Sequence, residues 1–122
     1  MNDTPSNARR TGPALEAMYQ LLVWLIPTID NFPRARKFVL GDRIETAALD
    51  VLDQLIAATF TKSRDTALVN ANVGLDRLRF LIRLSQDLRL IDLKRYEHAA
   101  RGIDDIGRMI GGWKKAHHAQ TA

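Results

Sequence analysis

The sequence predicts an all-α protein, an antiparallel four-helix bundle. Three observations carry that expectation. Apolar residues recur at three- and four-residue steps between Ala14 and Trp113, which is the period of a helix with one buried face. Val, Ile and Thr never alternate with polar residues over a useful length, so no strand is expected. The helical stretches are separated only by short breaks, as in bundles whose consecutive helices pack side by side. A chain of 122 residues with 46% hydrophobic and 26% charged side chains is one domain of ordinary globular composition. By size scaling about two thirds of its extended surface is buried on folding.

The first helix is expected over about residues 14–31. Leu15, Met18, Leu22, Leu25, Ile26 and Ile29 lie on one side, and Pro27 should kink or slightly break it. The second starts near Pro33, a favoured first helical residue, with Gly41, Ile44, Ala48, Val51, Leu55 and Ala58 inward. Its phase holds across Gly41, which favours one long helix. The rival is a restart at Asp42, which has capping-box-like spacing to Glu45. The third spans about 63–89 with Leu68, Ala71, Leu75, Leu78 and Ile82 inward. After a break at Leu90 and Ile91, Asp92 is a good N-cap for the fourth. There Leu93, Tyr96, Ala100, Ile103, Gly107 and Ile110 align, and Gly111–Gly112 mark an end or fraying point. The expected layout is therefore a loose N-terminal tail over 1–13, a bundle over 14–116 and a C-terminal tail over 117–122.

The formal net charge is +4, and it is unevenly placed. Residues 1–61 hold six basic and seven acidic side chains, and residues 62–122 hold twelve and seven. Arg34, Arg36, Lys37 and Arg43 cluster near the first connection. Arg79 and Arg83 share a side of the third helix, with Arg77 beside them, while Arg89, Lys94 and Arg95 surround the following turn. Arg101, Arg108 and Lys115 recur every seven residues, nearly on one face of the fourth helix. Such stripes suit phosphate backbones. They also suit solvated ion pairs with Asp76, Asp87, Asp104 and Asp105, which stand at helical spacings from several of these arginines. Trp24, Phe60, Phe80, Tyr96 and Trp113 read as core or interface residues rather than base-stacking platforms.

Catalytic chemistry is not expected. The chain has no Cys, which excludes disulfides, thiolate zinc sites and cysteine nucleophiles. The Glu-x-x-His pairs that bundles use for di-metal sites do not occur. Neither do GxGxxG, Walker or GxSxG motifs. No metal or cofactor is expected, His117 and His118 falling in the C-terminal tail. The polar N-terminus and the short apolar run Leu21–Ile26 resemble neither a targeting signal nor a membrane span. A cytoplasmic location without a membrane partner is the expectation.

Several motifs are specific. Residues 22–44 read LVWLIPTIDNFPRARKFVLGDRI, containing W-L-I-P (Trp24 to Pro27), F-P-R (Phe32 to Arg34) and F-x-L-G-x-R-I (Phe38 to Ile44). L-x-x-L-R-F-L-I-R-L (Leu75 to Leu84), D-L-x-L (Asp87 to Leu90) and I-G-R-M-I-G-G-W (Ile106 to Trp113) follow in order. Together they resemble the bundle proteins typified by the accessory variability determinant of diversity-generating retroelements. That grouping also takes in proteins encoded in 23S ribosomal RNA intervening sequences. The resemblance implies a barrel-shaped homopentamer without catalytic activity. Such a protein binds a reverse transcriptase and RNA or DNA, and supports mutagenic copying of a template repeat. Arg34, Arg43, Arg79, Arg83 and Arg108 are the basic residues inside the matching motifs. For Arg43 and Arg79, nucleic-acid contact and ion pairing between protomers are equally open. Five copies of a +4 chain would carry +20, a substantial field. The glycines at 41, 107, 111 and 112 would permit close helix packing or an oligomer seam. The alternative reading is a structural bundle of the intervening-sequence type with no retroelement role.

Overall fold

In the computed structural model, which describes residues 12–121, the chain folds into four helices with no strand among those residues. α1 is Pro13–Asp30. α2 begins as one α turn, Arg34–Arg36, passes through a π segment, Lys37–Gly41, and continues over Asp42–Phe60. α3 is Arg64–Asp87 and α4 is Leu93–Thr121. Each helix packs on its neighbours in chain order, α4 closes against α1, and α2 with α3 is the most extensive pair. Connections this short force antiparallel neighbours, so the expected four-helix bundle is what the chain forms.

The core is the set of inward stripes. Met18, Leu25, Ile44, Val51, Leu55, Leu68, Leu75, Leu78, Ile103, Ile106 and Ile110 are essentially inaccessible to solvent. The expected inward residues of α2 and α3 are all buried. On α4 the phase differs. The buried positions are Ala99, Ile103, Ile106 and Ile110, whereas Leu93 is 59% exposed and Gly107 only partly covered. Steps of four, three and four residues hold one face over about three turns. The expected stripe shares Ile103 and Ile110 with this face but runs one residue off it at Ala100 and Gly107.

Helix boundaries show what local signals missed. α1 begins at Pro13, so the expected N-terminal tail lies outside the described residues apart from Gly12 and Pro13. α1 also passes through Pro27 without a break. The carbonyl that has no N–H partner there belongs to Val23, on an exposed side of the helix where solvent reaches it. At Gly41 the helix does not restart at Asp42: it continues as the one long helix expected, with a π segment leading into Gly41. Gly41 and Asp42 are both right-handed helical. The π segment wedges an extra residue into the turn. It turns Gly41 inward against Ile29, where an added Cβ would stand 2.9 Å from Ile29 Cγ2. It leaves Val39 73% exposed.

α3 ends in a Schellman arrangement. Leu90 N–H donates to the Ser85 carbonyl (2.8 Å) and Arg89 N–H to that of Gln86 (2.9 Å). Its left-handed residue is Arg89, at φ 62°, where glycine is usual. A side chain in that conformation costs about 1–2 kcal/mol. Asp92 caps α4 as expected, its Oδ1 accepting from Arg95 N–H at 2.8 Å.

The expected end of α4 at Gly111–Gly112, with a tail over 117–122, is corrected. The helix runs to Thr121. Trp113 packs on the core with Arg64 over its ring (5.6 Å), and His118 Nε2 stands 3.2 Å from Asp65 Oδ1 on α3. These cross-helix contacts hold the last turns, which a glycine pair alone does not terminate.

Candidate nucleic-acid and partner interface

Nine of the cations noted in the sequence fall into three neighbourhoods, and the fold treats them differently. Arg36 and Arg43 meet at the start of α2. With Ala35, Val39, Leu40, Leu81, Leu84 and Leu88 they line a shallow groove of about 510 Å³ between α2 and the end of α3. Arg34 lies over the Phe38 ring at 5.9 Å, within cation–π range. Lys37, on the π segment, is half-buried. Arg36 and Arg43 flank the π segment, and both border the groove.

The second neighbourhood is the α3–α4 seam. Arg79 bridges two helices, meeting Asp76 Oδ1 at 2.6 Å and Asp104 Oδ1 at 3.0 Å. It therefore has two carboxylates within its own protomer. Arg83 stands one turn further along the same face of α3, exposed and without an ion pair among the described residues. Arg79 and Arg83 are thus on the opposite flank of α3 from Leu81, Leu84 and Leu88, and do not join Arg36 and Arg43. A half-exposed network of this kind is worth about 0.5–1 kcal/mol and is screened by salt. Arg79→Ala should accordingly lower unfolding stability by about that much in low-salt urea titrations, and by less in molar salt.

The third is the outer face of α4. Arg101 has Glu97 at 3.9 Å, Arg108 is ion-paired with Asp105, and Lys115 has no ion pair among the described residues. Asp76 and Asp105 therefore hold arginines at the helical spacing expected, Asp104 instead reaches across to Arg79 of α3, and Asp87 holds none among those residues. Arg101 also borders a groove of about 700 Å³ between α1 and α4, where the Trp24 and His98 rings meet at a tilt of 41° with centroids 4.5 Å apart.

Two surface features escape a reading of the sequence. Val69, Val73, Phe80, Leu84 and Leu88 form an exposed apolar stripe along α3, Phe80 being 66% exposed. Phe60 is 69% exposed, so it and Phe80 are not core residues of the protomer. The four- and seven-residue steps of this stripe are visible in the sequence. They are masked by the parallel stripe that enters the core. Arg89 is the second, since no signal in the sequence marks an arginine for a left-handed position.

No group of three or more His, Cys, Asp or Glu among the described residues could hold a metal ion. No helix among them is long and apolar enough to cross a membrane. Comparisons with curated proteins and with solved structures return no significant match. The profile of the bAvd-like family, in contrast, matches residues 14–117, the whole bundle up to the last turn of α4. The chain belongs to the bAvd-like family.

Proposed function

We propose that this protein is a non-enzymatic accessory factor of a diversity-generating retroelement. In this reading it binds RNA or DNA through basic surfaces and docks the reverse transcriptase that copies the template repeat. The observation that carries the reading is the family match over residues 14–117. The arrangement of charge supports it. Arg36, Lys37, Arg43, Arg83 and Lys115 have no carboxylate partner among the described residues, so phosphate can reach them without displacing one. Arg34, which lies over Phe38 with no carboxylate partner among the described residues, adds to these. Arg79, Arg101 and Arg108 extend the same surfaces, because a surface ion pair worth under about 1 kcal/mol yields readily to phosphate. Contacts of this type position a template without reading its bases.

Assembly is part of the proposal. The exposed stripe of α3 is larger than scattered surface residues require and suits burial in an oligomer. Gly107, Gly111 and Gly112 have open space where a Cβ would stand, room for a neighbouring protomer on α4. A pentamer acting in the cytoplasm is the form we propose. The second reading, a structural oligomer without nucleic acid, is favoured by one observation: Arg79, Arg101 and Arg108 already hold carboxylates within the protomer.

Filter binding of structured RNA separates the two. With six or so phosphate contacts, affinity should fall about 10³-fold between 50 and 200 mM salt. Light scattering should give five times the 13.8 kDa chain mass. Undetectable RNA binding at low salt overturns the nucleic-acid role, and a monomer overturns the assembly.

A further inference from the structure

The turn between α3 and α4 contains a polar groove that the cation stripes do not explain. It encloses about 530 Å³ and is bordered by Asn31 at the end of α1 and by Gln86, Arg89, Leu90, Asp92 and Arg95. That volume lies within the range of small-ligand sites. Its polar groups are unevenly committed. Arg95 is spent on Asp92, with Nη1 to Oδ2 at 2.9 Å, so those two charges cancel. Arg89 is exposed and has no ion pair among the described residues. Asn31 Nδ2 donates to the Pro27 carbonyl at 3.3 Å, which leaves its Oδ1 open. Gln86 is half-buried, and its amide has no hydrogen bond among the described residues. The groove thus offers one uncompensated positive charge, two amide edges and the apolar side of Leu90.

Arg89 is also where the backbone is strained. Its φ of 62° is a left-handed conformation, and the turn would be satisfied at lower energy by glycine. Strained non-glycine positions persist where the side chain has work to do.

We propose that this groove is a subsite for one nucleotide of a single strand. Arg89 holds a backbone phosphate, and the amides of Asn31 and Gln86 hydrogen-bond the edge of the unpaired base. The inference rests on the nucleic-acid reading above and adds to it a preference for single over double strands. A concave site of this size admits one splayed nucleotide, whereas the bases of a duplex stay stacked inside it. Amide side chains pair with base edges through their combined donor and acceptor.

A purely local explanation exists, because the C-terminal end of α3 favours a nearby cation. It makes the opposite prediction for Arg89→Gly: lower stability and unchanged RNA binding. Fluorescence anisotropy with a short single-stranded RNA and its duplex, alongside thermal unfolding, decides between them. Under the proposal the wild type binds the single strand more tightly than the duplex. Arg89→Gly then weakens single-strand binding about 5- to 10-fold and flattens its salt slope by about one. Duplex binding changes less than about two-fold, and the melting temperature does not fall. Gln86→Ala reduces the preference for the single strand while leaving the salt slope unchanged, because it removes no charge. Unchanged single-strand affinity in Arg89→Gly, or equal losses on both RNAs, overturns the subsite. A wild type that binds neither RNA overturns the nucleic-acid reading itself.

Discussion

Replacing Arg36, Arg43 and Arg83 together by alanine lowers RNA affinity by about three orders of magnitude and leaves the fold intact. The three side chains are exposed and have no carboxylate partner among the described residues. Each can give a full charge-assisted hydrogen bond to phosphate, worth about 1.5 kcal/mol or more. Removing all three costs about 4–5 kcal/mol, and every 1.4 kcal/mol is tenfold in affinity. The comparison set is Arg79, Arg101 and Arg108 replaced by alanine. Those guanidiniums already face Asp76, Asp104, Glu97 and Asp105. Phosphate gains less by recruiting them, and their replacement should cost under about tenfold. Filter binding measures both sets, while circular dichroism and light scattering verify fold and assembly. Equal losses of affinity in the two sets would mean that intramolecular pairing does not decide which arginines meet nucleic acid.

Gly74→Leu destabilises the bundle by about 3 kcal/mol. Gly74 is buried on α3 against α2, and an added Cβ would stand 2.7 Å from Val51 Cγ2. Val51 is fully buried and β-branched, so it has no rotamer into which to withdraw. The strain therefore falls on the spacing of the most extensive helix pair in the molecule. Gly74→Ala is milder, because about 1 kcal/mol of improved helix propensity opposes the clash. Val51→Ala in the Gly74→Leu background should restore part of the stability by vacating that space. Gly107→Ala provides the contrast. Nothing lies within 4 Å of a Cβ there, so the propensity gain of about 0.5–1 kcal/mol appears as added stability. Urea titrations read all four variants. Wild-type stability in Gly74→Leu would refute the close α2–α3 approach.

The glycines show how far linear spacing reaches. Gly41, Gly107, Gly111 and Gly112 stand out as packing sites because they lie on or near apolar stripes. The structure uses Gly41 and Gly74 for close approach and leaves the α4 glycines at 107, 111 and 112 open. The distance between two helices is set by side chains on both, and one helix's sequence holds only half of that information. The arginines repeat the lesson. Residue spacing identifies the cations and their nearest carboxylates. Only the packed bundle brings Asp104 of α4 to Arg79 of α3, or Arg36 and Arg43 to one groove.

The sequence by itself determined the helical class, the inward faces of α1, α2 and α3, the Asp92 cap and, through its ordered motifs, the family. These are local or linear properties: periodicity, capping chemistry and motif order are written along one strand of residues. Tertiary structure decided the rest. The π segment at Lys37–Gly41 ends on Gly41, which packs against Ile29 of α1. α4 continues past Gly111–Gly112 because Trp113 and His118 find partners on the core and α3. The turn at Arg89 becomes a groove only because the end of α1, with Asn31, packs beside it. Each depends on interactions between residues far apart in the chain, whose free energy outweighs local propensity once the bundle closes.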